Sequence, residues 1–163
     1  SLYPFMKRYT QLPQVVLGAA FSWGIIMAFA EARGEIQLVA WLLFTANVLW
    51  AVAYDTMYAM VDRDDDIKIG VKSTAILFAQ YDRIAILLLQ IATLACLVQV
   101  GMLKELSWVY YSGLVIISAL FIKQFMDTKN KERDACFKAF LANNWVGLVI
   151  FISILGHYAL QLL

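Results

Sequence analysis

The sequence predicts an all-α, polytopic transmembrane helical bundle of about five spans, and three observations support this fold class. The 163-residue chain is 63% hydrophobic and 15% charged, with a mean hydropathy of +0.72, far from the balance of a soluble domain. The charged residues leave five charge-free runs: Tyr9 to Ala30 (22 residues), Ile36 to Tyr54 (19), Ile84 to Leu103 (20), Leu106 to Ile122 (17) and Ala139 to Leu163 (25). Each is near the roughly 20 residues a helix needs to cross a hydrocarbon core about 30 Å thick. The runs mix Leu, Ile, Val, Ala, Phe and Trp without strict alternation. In lipid their backbone polar groups must be satisfied within the segment, which favours helices.

The two prolines, Pro4 and Pro13, lie ahead of or at the start of the first run, where a helix tolerates them. Glu31 to Glu35 joins the first and second runs, with Gly34 as the expected turn residue. A longer connection, about Asp62 to Arg83, follows the second run. Within it Ser73 or Thr74 is placed to cap a short amphipathic helix, STAILFAQYDR, near the membrane surface. Lys104 and Glu105 separate the third run from the fourth, the shortest as drawn by charge. The basic stretch KQFMDTKNKERDACFK then leads to the last run and reads as a membrane-surface anchor. With no repeat or interdomain linker evident, residues 1–163 read as a single transmembrane domain.

Alternating loops place Lys7, Arg8, Arg63, Lys68, Lys72, Arg83, Lys123, Lys129, Lys131, Arg133 and Lys138 on one side, and only Arg33 and Lys104 on the other. That accounts for all 13 cations, and the positive-inside bias puts the richer side in the cytoplasm. The cations flank the membrane rather than lining an aromatic-laced groove, so nucleic acid is not implied as a partner. Cys96 falls in the third run and Cys136 in a cytoplasmic loop, so no disulfide between them is expected. The chain opens Ser1-Leu2 without a charged leader, so no signal peptide is read there and the start is expected to lie partway through a longer protein.

The stretch VDRDDDIKIG breaks this apolar pattern. Asp62, Asp64, Asp65 and Asp66 crowd into five positions after the second run, at what would be a helix C-terminus, where the dipole disfavours anions. Two carboxylates about 6 Å apart repel by roughly 3 kcal/mol at an effective dielectric near 20, so a cation is required. Arg63, Lys68 and Lys72 would make the run a salt-bridged loop. A hard divalent ion such as Mg²⁺ is the stronger candidate, with Asp62 and Asp66 on one face of a continuing helical turn. A calcium-binding EF-hand loop fails, because its sixth residue would be Ile67 rather than Gly and its twelfth Ser73 rather than Glu. Upstream, Asn47, Tyr54, Asp55, Tyr58 and Asp62 fall along one stripe at helical spacing, a polar seam rising from mid-membrane. Together these features describe a pocket for a diphosphate with an apolar tail, its phosphate oxygens held by Lys68 and Lys72.

YDTMYAMVDRDDDIKIGVKSTAILFAQYD resembles the second aspartate-rich signature of the UbiA superfamily of intramembrane prenyltransferases, specifically the members that act in bacterial ubiquinone biosynthesis. YPFMKRYTQLPQVVLGAAF and ACFKAFLANNWVGLVIF resemble the same proteins, so the similarity spans essentially the whole chain. The resemblance implies part of a UbiA-type fold of roughly nine bilayer-crossing helices. It implies Mg²⁺-dependent transfer of a polyprenyl group from a polyprenyl diphosphate to 4-hydroxybenzoate, in the bacterial inner membrane with the site facing the cytoplasm. By this similarity Asp62 and Asp66 are the metal-binding, catalytic pair, Lys68 and Lys72 are placed for the diphosphate and Arg8 for the diphosphate or the substrate carboxylate; Asp55, an ionisable residue of the seam, is read as substrate-binding. The family's first motif, N-D-x-x-D-x-x-x-D, does not occur in this sequence. The chain is therefore expected to be the C-terminal portion of such an enzyme, showing no prenyl transfer alone, whereas a longer chain carrying that motif does. Turnover by the purified 163-residue chain with Mg²⁺ and both substrates would contradict this.

Two rivals explain less. Phosphotransferases that join CDP-linked head groups to lipid alcohols need a D-G-x-x-A-R element ahead of Asp62, and none is present. A non-enzymatic cation channel or assembly subunit with an acidic mouth accounts for the loop charge but not for Tyr54, Asp55, Lys68 and Lys72 together. Trp23, Trp41, Trp50, Trp108 and Trp145 read as interfacial or packing residues rather than tunnel lining. His157 lies toward the far end of the last run, away from the acidic stretch. Asn143 and Asn144 either enter the pocket or begin the last helix.

Overall fold

The computed structural model describes residues 13–70 and 74–162, and all regular structure among them is helical. In chain order the helices are α1 (Pro13–Arg33), α2 (Leu38–Val61), α3 (Arg63–Ile69), α4 (Thr74–Phe78), a single 3₁₀ turn (Ala79–Tyr81), α5 (Asp82–Leu103), α6 (Trp108–Asp127), α7 (Arg133–Leu141) and α8 (Asn143–Gln161). Five stretches are long and apolar enough to cross a membrane: Gln14–Arg33, Leu38–Val61, Thr74–Leu103, Trp108–Asp127 and Arg133–Gln161. The protein is therefore a multi-pass membrane protein of the predicted class.

α2 is the central helix, packed against α1, α5 and α7. Its buried side includes Ala40, Ala46, Ala51, Ala53 and Ala59. Such small residues let helices approach closely where lipid supplies no hydrophobic drive for association. One cluster gathers Ala53, Met57 and Met60 with Ala75, Ile86, Cys136 and Ala139; a second gathers Ala46, Leu97, Tyr110, Ile117, Phe121 and Val146. Large apolar side chains such as Phe21, Trp108, Val115 and Phe151 stay exposed, as suits a surface facing acyl chains. Hydrogen bonds join the helices across this core: Asn47 Nδ2 donates to Ser22 Oγ (2.8 Å), Gln90 Nε2 to Gln124 Oε1 (2.8 Å) and Tyr110 OH to the Leu97 carbonyl (2.9 Å). Interhelical bonds of this type contribute about 0.6 kcal/mol on average. Asn47→Ala should therefore lower the unfolding free energy in bilayer-like micelles by about 1 kcal/mol or less, measured by denaturant titration.

The two short connections meet at one end of the bundle, where Gly34 makes the turn (φ 69°) and Lys104 Nζ donates to Gln37 Oε1 at 3.0 Å. The long connections meet at the other end, where Lys131 pairs with Asp82 at 2.8 Å. At the short-loop end the Ser107 N–H donates to His157 Nδ1 (2.9 Å), which places this buried histidine far from the aspartates. The loop alternation expected from the cation count is thus realised. Cys96 and Cys136 are both free thiols.

Element boundaries depart from the charge-free runs because charges do not end these helices. α2 runs through Asp55 to Val61, and α6 continues past Lys123, which pairs with Asp127 one turn on, so the fourth span is a full 20 residues. Long cationic side chains reach polar surroundings from inside a helix end. The last run is divided: α7 ends at Leu141 and α8 begins at Asn143, with Ala142 between them (φ −64°, ψ −13°). The amphipathic segment expected here forms α4 and the 3₁₀ turn, with Leu77 and Tyr81 exposed and the opposite side packed inward. Thr74 and Ala75 are fully buried, and the Thr74 and Thr56 hydroxyls are 2.8 Å apart. Ser73, the other expected cap, lies outside the described residues.

Candidate functional site

The Asp-rich stretch sits at a helix junction. Asp62 closes α2, its N–H reaching the Tyr58 carbonyl at 3.4 Å, and its own carbonyl accepts from the N–H groups of Asp65 (3.0 Å) and Asp66 (2.8 Å) to begin α3. Its backbone (φ −94°, ψ 1°) bends the chain there. This corrects the expectation that the run lies wholly at an unfavourable helix end. Asp65 and Asp66 lie in the first turn of α3, where the helix dipole favours carboxylates. α3 ends at Gly70, in the left-handed conformation (φ 69°).

Asp62 and Asp65 converge on Arg133 of α7, at 3.9 Å and 3.5 Å. Asp66 is 7% exposed on the same short helix. Lys68 is exposed and pairs with Asp65 at 3.5 Å, a surface pair worth about 1 kcal/mol or less. Asp55 is half-buried about two turns before Asp62. Arg8 and Lys72, the other expected substrate contacts, lie outside the described residues.

The expected polar seam on α2 is realised only in part. Its lower end is closed, because Asn47 is bonded to Ser22 of α1. Its upper end is an aromatic wall. Tyr54 and Tyr58 pack on the Phe140 ring of α7 at 6.0 and 5.2 Å between centroids, and Trp50 meets Tyr54 edge-on at 5.7 Å. Trp50 Nε1 donates to Asn143 Oδ1 (2.9 Å), while Asn143 Nδ2 donates to the Ala139 carbonyl (3.0 Å), bridging the α7–α8 break. Asn143 thus begins the last helix, the second of its two expected roles, with its side chain buried against Trp50. The remaining four tryptophans are exposed on the bundle surface.

A second charged centre lies beside the first. Asp82, at the start of α5 and 0% exposed, is held by Arg63 and Lys131. Arg63 is therefore committed to Asp82 rather than to neutralising its neighbours, and Arg133 takes that part. The basic stretch before the last run is accordingly more than a surface anchor: Lys131 and Arg133 both reach the connection after α2. Sequence reasoning placed Lys131 and Arg133 at this end but missed them, with Asp82 and Phe140, as contacts of the site. The one signal for them was an isolated Asp at the head of an apolar run.

Among the described residues no group of three or more His, Cys, Asp or Glu side chains is disposed to hold a metal. The donors at the junction are hard carboxylate oxygens that suit Mg²⁺, an ion that commonly takes one or two carboxylates and completes its shell with water and phosphate oxygens.

The sequence matches the UbiA prenyltransferase family over residues 1–155. It is 63% identical over 158 residues to a 4-hydroxybenzoate octaprenyltransferase of Colwellia psychrerythraea, covering 97% of this chain and 55% of that protein. A protein of the same name from Pseudomonas syringae is 60% identical over 161 residues, covering 99% of this chain and 54% of the relative. The chain thus spans about half the length of the curated relatives it matches. In fold it resembles the apo structure of a UbiA homologue from Aeropyrum pernix, with a TM-score of 0.77 at 24% identity over 94% of this chain and 58% of that one. The helical frame is thus shared with a solved UbiA homologue, and the chain belongs to the UbiA prenyltransferase family.

Proposed function

We propose that residues 1–163 form a single transmembrane prenyltransferase domain. The intact protein would transfer a polyprenyl group from polyprenyl diphosphate to the ring of 4-hydroxybenzoate, in ubiquinone biosynthesis at the bacterial inner membrane. The observation that carries this reading is the crowding of Asp62, Asp65 and Asp66 at the end of a membrane-crossing helix, directly beside an aromatic wall. Such a boundary suits a charged head joined to a greasy tail. The names of the relatives at 60–63% identity supply the acceptor and make octaprenyl diphosphate the first donor to try. The excess of cations at this end supports a site open to the cytoplasm.

Asp62 and Asp66 would hold Mg²⁺, which when bound offsets the negative charge gathering on the leaving diphosphate. Lys68 and Lys72 serve as point charges for phosphate oxygens, and Arg8, with a planar guanidinium, contacts the diphosphate or the acceptor carboxylate. Tyr54, Tyr58 and Phe140 keep water from the allylic carbon and present ring faces that favour positive charge there. Asp55, set deeper in α2, contacts the aromatic acceptor.

The test is product formation by the intact protein in lipid, with octaprenyl diphosphate, 4-hydroxybenzoate and Mg²⁺. Prenylated 4-hydroxybenzoate is expected, and a chelator should abolish it until Mg²⁺ is restored. Efficient transfer to a different acceptor with none to 4-hydroxybenzoate would refute the substrate assignment.

A further inference from the structure

Asp82 is not among the residues to which the prenyl-transfer reading gives a role, yet it is fully enclosed and meets two cations. Those cations come from both sides of the site. Arg63 follows Asp62 directly, and its guanidinium also donates to the carbonyls of Ala75 (2.7 Å) and Ala79 (2.9 Å). Lys131 lies just ahead of Arg133, and its ammonium also reaches the carbonyls of Ala79 (3.4 Å) and Gln80 (3.3 Å). Arg83, next in sequence to Asp82, is turned elsewhere: it donates to the Phe125 carbonyl (2.6 Å) and lies over the Phe125 ring (4.3 Å). Ala79 and Lys131 both adopt positive φ, 47° and 56°. Non-glycine residues hold such a conformation only where the surroundings over-determine it. One buried carboxylate therefore gathers the residue after Asp62, the turn ahead of α5 and the loop that leads into Arg133 at the start of α7.

We propose that Asp82 is a positioning residue for prenyl transfer: through Arg63 and Lys131 it sets the separation between Asp62 and Asp65 on one wall and Arg133 on the other, without touching substrate. The kinetic consequence rests on the proposed function; the geometric one does not. Outer partners that orient metal-binding groups typically change affinity or activity by about 10- to 100-fold when removed.

The test has two arms, both in the intact protein. In the first, Cys96 and Cys136 are replaced by Ala, Asp65 and Arg133 are replaced by Cys, and oxidative cross-linking is compared between Asp82, Asp82→Glu and Asp82→Asn. A fourth background, Asp82→Asn with Lys131→Met, removes one buried cation with the carboxylate and guards against misfolding. Cross-linking is expected to be efficient with Asp82, largely kept by Asp82→Glu, and several-fold lower in the folded fraction of both asparagine variants. In the second, with the native residues at 65 and 133, Asp82→Asn is expected to raise the KM for polyprenyl diphosphate and the half-saturating Mg²⁺ by about 10-fold or more. The KM for 4-hydroxybenzoate should be unchanged, and Asp82→Glu should restore most of the loss. Undiminished cross-linking in folded Asp82→Asn protein, or a fall in activity that only tracks the folded fraction, overturns the proposal. If the parent protein transfers no prenyl group, the functional reading fails while the cross-linking comparison still decides the role of Asp82.

Discussion

Asp62→Asn in the intact protein is expected to reduce prenyl transfer by at least about 100-fold while leaving the fold essentially intact. Asparagine has nearly the same shape but lacks the charge that a hard divalent ion requires. The structural contribution of the side chain is small. Its described ion pair is a 3.9 Å contact with Arg133, which is itself 64% exposed, and pairs of this kind contribute about 1 kcal/mol or less. The unfolding midpoint should therefore stay close to that of the parent. Asp66→Asn should lose activity to a similar degree but with a measurable drop in stability, because Asp66 is 7% exposed and engaged within the protein. Initial rates at saturating Mg²⁺, paired with thermal unfolding in micelles, separate the two effects. A rate for Asp62→Asn within a few-fold of the parent would remove this carboxylate from the chemistry.

Gly113→Val is expected to produce the largest loss of stability away from the site. A Cβ at position 113 would overlap Ser153 Oγ and lie 2.7 Å from Ser153 Cβ. The backbone of α6 at Gly113 therefore packs directly on the Ser153 side chain of α8, as small residues permit in a bilayer. Both Gly113 and Ser153 are buried, and Ser153 Oγ donates to the Val149 carbonyl (2.6 Å), so its rotamer is already set. Forcing bulk into such a contact costs about 1–3 kcal/mol and drives the helices apart. Ser153→Gly should recover part of that loss, and the coupling in a double-mutant cycle should be of order 1 kcal/mol. Equal stability of Gly113→Val and the parent would mean that the two helices do not approach so closely.

The spans were legible because lipid imposes a simple rule on long apolar segments, and α1, α5 and α6 cover most of the runs read from charge alone. Their ends were less legible, since the rule treats a charge as a stop while Asp55 and Lys123 sit within α2 and α6. The acidic junction was visible as a local anomaly. Its partners were not, because Arg63, Asp82 and Lys131 are joined only by packing across the loops, and nothing in their spacing signals a shared centre. The Asn47 end of the seam failed for a related reason. Helical spacing says which residues share a side of α2, but only the position of α1 shows that Asn47 is taken by Ser22.

The bond from Trp50 to Asn143 gives this membrane protein a built-in optical reporter. The other four indoles look outward, so their emission follows the surrounding lipid or detergent. Trp50 donates to the Asn143 side chain between α7 and α8, so an emission component that vanishes in Trp50→Phe would report on that contact.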